Sequence, residues 1–183
     1  MFDVRRIVGW SAATWGVLGV SALLGSAIAR LWPLVREAVD GWRSDVGFWV
    51  AVAVSLAFFG YAEGYRAFQR QLAPRVVARA LTLLERCTVP RVLFAPFFCM
   101  GYFAATRRRL ITSWAVSLGI VGLVFAMKWV PQPWRGVVDL GVVFALGWGV
   151  LAVLGHFVAA LRGQGPRVST DLAEPPSPFP SAG

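Results

Sequence analysis

Apolar residues gather in four long, nearly uncharged runs at about 7–29, 47–65, 110–127 and 137–161. At about 1.5 Å per residue, a hydrocarbon core of about 30 Å needs about 20 helical residues. The pattern therefore predicts an all-α, polytopic membrane protein with four transmembrane helices. The first run opens after Arg5 and Arg6 and closes at Arg30, Trp32 and Pro33. It exceeds the roughly 7–15 apolar residues of a secretory signal peptide, so a retained helix is expected. The second is short before Glu63 and reaches spanning length only if it continues through Tyr65, with Tyr61 and Tyr65 as interfacial aromatics. The third and fourth are joined by KWVPQPWRG, whose two prolines forbid one continuous helix and predict a helical hairpin.

The polar segments between these runs differ in kind. Residues 34–46 carry a balanced set of charges around Trp42 and read as a short exposed connector with at most a turn of helix. Residues 66–109 hold nine arginines against one acid, Glu85. In their first half Pro74 suits a first helical turn, and Val76, Val77, Ala80, Leu81 and Leu84 follow at helical spacing. Arg75, Arg79 and Arg86 take other faces, which predicts an amphipathic, interfacial helical segment between spans two and three, lying in the headgroup plane. The second half, LFAPFFCMGYFAA, is aromatic and too short to span, so residues 93–105 must be interfacial, re-entrant or a docking face, and packing within the monomer is preferred. After Leu161 the chain turns to Gly, Pro and Ser, and 162–183 is expected to be a disordered tail behind a single domain, 1–161.

Charge then sets the threading. Arg5, Arg6, the nine central arginines, Arg162 and Arg167 fall on one side, and Arg30, Arg36, Arg43, Lys128 and Arg135 on the other. The positive-inside rule places both termini and the central segment in the cytoplasm. The segments EGYRAF, PRVVARA and FCMGYFAATR resemble those of small multi-pass bacterial inner-membrane proteins, which implies the inner (plasma) membrane and no particular activity. A hydrophobic share of 57% lies above the roughly 45–50% of soluble domains. With half of the basic residues in one segment, the net charge of +9 points to anionic lipid headgroups and not to nucleic acid.

Candidate chemistry is sparse. Arg75, Arg79, Arg86, Arg107, Arg108 and Arg109 are the expected lipid- or partner-binding residues, each basic group near an anionic surface contributing about 1 kcal/mol. Glu63, Asp139 and His156 are ionisable groups at the ends of spans, expected to pin helices through interfacial pairs. One histidine and two cysteines, Cys87 and Cys99, give no metal set, no cofactor is expected, and the thiols should stay reduced. No nucleophile elbow, phosphate loop or zinc helix is present. Small residues at four-residue spacing, Gly141, Ala145 and Gly149 above all, with Ala12 and Gly16 or Ser21 and Gly25 in the first span, predict close helix contacts. The expected function is that of a non-enzymatic accessory or assembly subunit that binds anionic lipid or a membrane protein partner, or forms a homo-oligomer. The alternative is a small oligomeric transporter or channel using Glu63 and Asp139. A third class, an enzyme acting on lipid at the cytoplasmic face, would require Glu63 and His156, with Cys99 as a further candidate, to meet near Tyr65.

Overall fold

A computed structural model describes residues 4–85 and 88–172, and among these it is helical with no strand, one isolated bridge joining Ala105 to Leu172. Four helical runs are long and apolar enough to cross a membrane: Ile7–Trp42, Val46–Thr82, Arg107–Met127 and Trp134–Leu161. The elements are α1 (Val4–Trp42), α2 (Val46–Phe59), a π-helix (Gly60–Leu72), α3 (Ala73–Thr82), α4 (Val89–Leu93), α5 (Ala95–Met100), α6 (Arg107–Met127) and α7 (Trp134–Leu161).

α1 is longer than its apolar run. It passes through Pro33, which leaves the Ala29 carbonyl without its donor and crowds it, and ends at Trp42, so the expected connector 34–46 is mostly helix. The reason is packing: Val35 and Ala38, three residues apart on one face, are buried, Ala38 in a small core with Phe48, Val52 and Val137. The turn is closed by Asp45, whose Oδ1 accepts from the Gly47 amide at 2.9 Å and caps α2.

The second run does not stop at Tyr65. It widens into the π-helix, whose last step is the Ala73 amide donating to Phe68 O, five residues back. Pro74 has no N–H, and in α geometry its ring would crowd the Arg70 carbonyl, a conflict that a wider turn relieves. Beyond it α3 buries Ala73, Val76, Val77, Ala80 and Arg79 against α1, α5 and α7. The segment expected to lie flat in a headgroup plane is thus the packed continuation of the second long helix.

Glycines set the helix distances. α2 and the π-helix run parallel to α7, with Ser55 beside Gly141, Gly60 beside Phe144, Gly64 beside Trp148 and Phe68 beside Gly149. Gly141, Ala145 and Gly149 are all buried on this face, so the stripe read from the sequence seals a contact inside the chain. α1 runs antiparallel to α7, Ala38 meeting Gly136 and, toward the other end, Val17 and Val20 sharing a core with Val153 and Phe157. α1 also receives α5, Cys99 against Gly16 and Pro96 against Gly19, whereas Gly25 meets nothing within 4 Å. Ala95, Pro96, Phe98 and Cys99 are buried while Phe94 and Phe97 stay exposed, so the aromatic segment after α3 packs within the chain by one face only.

α6 departs from the expected hairpin. Although residues 128–133 join it to α7, no residue of α6 is buried and it shares no packed face with another long helix. It is held at its base: Ser113 Oγ donates to Met100 O at 3.2 Å, the Tyr102 and Ser117 hydroxyls bond, and the Tyr102 and Trp114 rings meet edge-on with centroids 5.5 Å apart.

Candidate functional site

The sequence-predicted arginines converge on the end of the bundle where α3, α5, the foot of α6 and residues 166–172 meet, and they divide into two kinds. Arg79 faces inward and is 1% exposed. Its Nε donates to Phe98 O at 2.7 Å, Nη1 to Thr170 O at 2.8 Å and Nη2 to Phe103 O at 3.0 Å, with Ala104 O at 3.4 Å. The guanidinium carbon lies 4.5 Å from the Phe98 ring centroid. A planar fork is suited to such a task, since its donors diverge in fixed directions toward several carbonyls. Here they tie α3 to the C-terminal end of α5, to the loop leading into α6 and to the chain after α7. Ala104, at φ 51°, holds a left-handed conformation that alanine adopts at a cost of about 1–2 kcal/mol. Its carbonyl and that of Phe103 both face Arg79, which supports that turn. Residues 162–172, the first part of the expected disordered tail, take part in this contact: the Thr106 amide donates to Asp171 O at 2.9 Å.

The remaining arginines face outward. Arg107 and Arg108 are exposed at the start of α6, Arg75 and Arg109 are half-buried, and Arg86 lies outside the described residues. Arg91, not singled out by sequence, joins them, with its guanidinium 5.5 Å from the Phe98 ring. Arg75, Arg79, Arg91 and Arg109 are near enough to act on one another electrostatically, with Asp171 as the carboxylate among them. Yet among the described residues the one ion pair is Arg135–Asp139, at the opposite end. Eight of the nine arginines from Arg66 to Arg109 are described, and none of them has a carboxylate of another described residue within 4.0 Å.

The ionisable groups in the long helices stay apart. Glu63 is exposed beside Gly64, which is level with Trp148, whereas His156 lies two turns further along α7, about 12 Å away along the axis. His156 Nδ1 is 3.0 Å from Ala152 O of its own helix. Glu63 and His156 are therefore not brought together. Asp139 is buried, 3.7 Å from Arg135 one turn earlier. Among the described residues no group of three or more His, Cys, Asp or Glu side chains is placed to hold a metal ion.

Cys99 is fully buried against Gly16 of α1, and burial pushes its thiol up to about 12, against the pull of nearby Arg79 toward the thiolate. A thiolate is what attacks maleimide, so Cys99 combines little access with little reactive form. In a Cys87→Ser variant, a membrane-permeant maleimide at pH 7.5 is expected to leave the folded protein unlabelled and to label it once in SDS. Rapid labelling of the folded form would contradict the packing of α5 on α1. Compared with known proteins, the chain matches no family model, no curated protein and no solved structure.

Proposed function

We propose that this is an integral membrane protein whose arginine-rich end faces the cytoplasm and engages anionic lipid headgroups, in a non-enzymatic accessory or assembly role. The observation that carries the reading is the arginine cluster: Arg75, Arg91, Arg107, Arg108 and Arg109 gathered at one end with no carboxylate of a described residue within ion-pair distance. Exposed guanidinium groups of one sign attract anions, and a planar fork matches the oxygens of a phosphate. The four long apolar helices are compatible with insertion, and the positive-inside rule orients the cluster toward the cytoplasmic leaflet, whose anionic lipids give it a negative surface. Arg79 has a different part in this reading. It is the internal brace that holds α3, α5 and the foot of α6 together, so that the outer arginines are presented on a fixed surface.

The test is lipid selectivity. Purified in mild detergent, the protein is expected to be stabilised against heat by added phosphatidylglycerol and much less by phosphatidylcholine. An Arg107→Gln/Arg108→Gln double variant should lose about 2 kcal/mol of that preference at low salt, about 1 kcal/mol for each charge. Because the groups are exposed, the effect should shrink as salt rises. Equal response to both lipids, or a double variant that behaves as wild type, would remove the proposal.

A further inference from the structure

The angle between α6 and the α4–α5 segment forms an open groove of about 630 Å³, lined by Pro90, Phe94, Phe97, Tyr102, Phe103, Trp114 and Ser117. Such a volume falls within the roughly 300–1,000 Å³ of small-ligand sites. It is there because α6 touches the rest of the chain at its base and then stands free. The walls are aromatic: Phe97 meets Tyr102 edge-on at 6.0 Å, and Tyr102 meets Trp114 at 5.5 Å. Phe94, Phe97 and Trp114 are all exposed large apolar side chains.

Among the described residues, charge gathers at one end of this groove, where the arginines outnumber the single carboxylate, Asp171, that acts on Arg79 and Arg109. Arg109 packs over Gly101, next to Tyr102, its Nε within contact distance of where a Gly101 side chain would begin. Arg91 follows Pro90, another lining residue, and lies over Phe98, whose ring is 5.8 Å from that of the lining Phe103. Arg107 and Arg108 open α6. Pro90 and Tyr102 line the groove beside Arg91 and Arg109, and Trp114 and Ser117, five and eight residues beyond Arg109, carry its α6 wall about 7–12 Å past that level. The site is therefore cationic at the foot and apolar above it, in the proportions of one amphiphile held upright along a helix.

We propose that this groove seats one anionic phospholipid from the surrounding leaflet, its phosphate on Arg91, Arg109 and Arg108 and one acyl chain lying against Phe94, Phe97 and Trp114. The proposal rests on the lipid-facing reading above and names the ligand of the same site. Charge complementarity selects the headgroup, and the depth of the aromatic wall selects a chain over a soluble anion. Bound in this way, the lipid fills the space that α6 leaves and couples the free helix to the bundle.

The test uses the full chain in nanodiscs doped with phosphatidylglycerol or phosphatidylcholine carrying a mid-chain diazirine, with cross-links located by mass spectrometry. Labels should concentrate on Phe94, Phe97 and Trp114 relative to Ile120 and Val124 of α6. Phosphatidylglycerol should label the groove about tenfold more than phosphatidylcholine at equal doping. Ser117→Phe, which narrows the groove between Tyr102 and Trp114, should reduce the groove labels, whereas Arg91→Gln/Arg108→Gln should keep them and flatten the headgroup preference. Labels spread evenly over α6 with a preserved anionic preference would overturn the seat while leaving the proposed function standing. Strong groove labelling without headgroup preference would overturn the proposed function, and the anionic identity with it. A groove labelled by neither lipid also overturns the seat and is the result expected if a protein partner covers it.

Discussion

Arg79→Leu should be the most damaging single arginine substitution in this chain, and Arg108→Leu among the mildest. The two residues are alike in type and both belong to the central basic segment, but their surroundings are opposite. Arg79 is 1% exposed and donates to the carbonyls of Phe98, Phe103 and Thr170. Leucine would fill part of the space and leave these acceptors without their donor, each unmet buried group costing about 1–3 kcal/mol. Even with relaxation the loss should exceed about 3 kcal/mol, which for a chain of this size lowers the melting temperature by roughly 5–10 °C. Arg79→Lys should fall between, since an ammonium group cannot span the three directions that the fork serves. The readout is thermal unfolding in detergent, with maleimide access to Cys99 in the Cys87→Ser background as a local reporter. An Arg79→Leu protein that melts like wild type and still shields Cys99 would show that the brace is not what holds α5 in place.

The difference between these arginines was only partly legible in the sequence. In a run of nine, each arginine looks like a topogenic or surface charge, and composition alone gives all of them one role. The distinguishing signal is register: Leu72, Val76, Arg79 and Leu83 follow one another at spacings of four, three and four, so Arg79 occupies a core position of an otherwise apolar stripe. An arginine in such a position must have its donors met from within the fold. Which carbonyls meet them could not be read, because Phe98, Phe103 and Thr170 arrive from segments up to 91 residues away.

Elsewhere, legibility followed how local the determining physics was. Length and apolarity alone define the four long helices, and the structure contains them. Polarity misled at 34–46, where charges suggested a connector but Val35 and Ala38 supply a face that keeps α1 helical to Trp42. Pro74 was legible as a helix position but not as the end of a π-helix, because the widened turns before it depend on packing against α7 as well as on the proline. For α6 the sequence shows a helix as apolar as its neighbours. Nothing local distinguishes a helix that packs on its own chain from one that meets only its surroundings, since in lipid both are satisfied.

The glycine stripe of α7 was legible in both identity and purpose, and it supports the second large prediction. Gly141 and Gly147 lie on the same helix, six residues apart, yet a side chain at each would meet different surroundings. At Gly141 a methyl group would collide with the Ser55 hydroxyl and come within 2.5 Å of the Phe59 ring, whereas at Gly147 nothing lies within 4 Å. Ser55 cannot easily move, because its Oγ donates to Val137 O at 2.8 Å in a buried position. Gly141→Leu must therefore push α2 away from α7 or break that bond, and overpacking of this kind typically costs about 1–3 kcal/mol, with the larger figure expected where two helix backbones must separate. Gly147→Leu, by contrast, should be neutral or slightly stabilising, because leucine is the better helix former by roughly 0.5–1 kcal/mol. Side-by-side melting curves and size-exclusion profiles of the two variants decide the matter. If Gly147→Leu is the one that aggregates or melts early, the face of α7 assigned to α2 is the wrong one. The parallel alignment of Ser55, Gly60, Gly64 and Phe68 along α7 would then have to be given up.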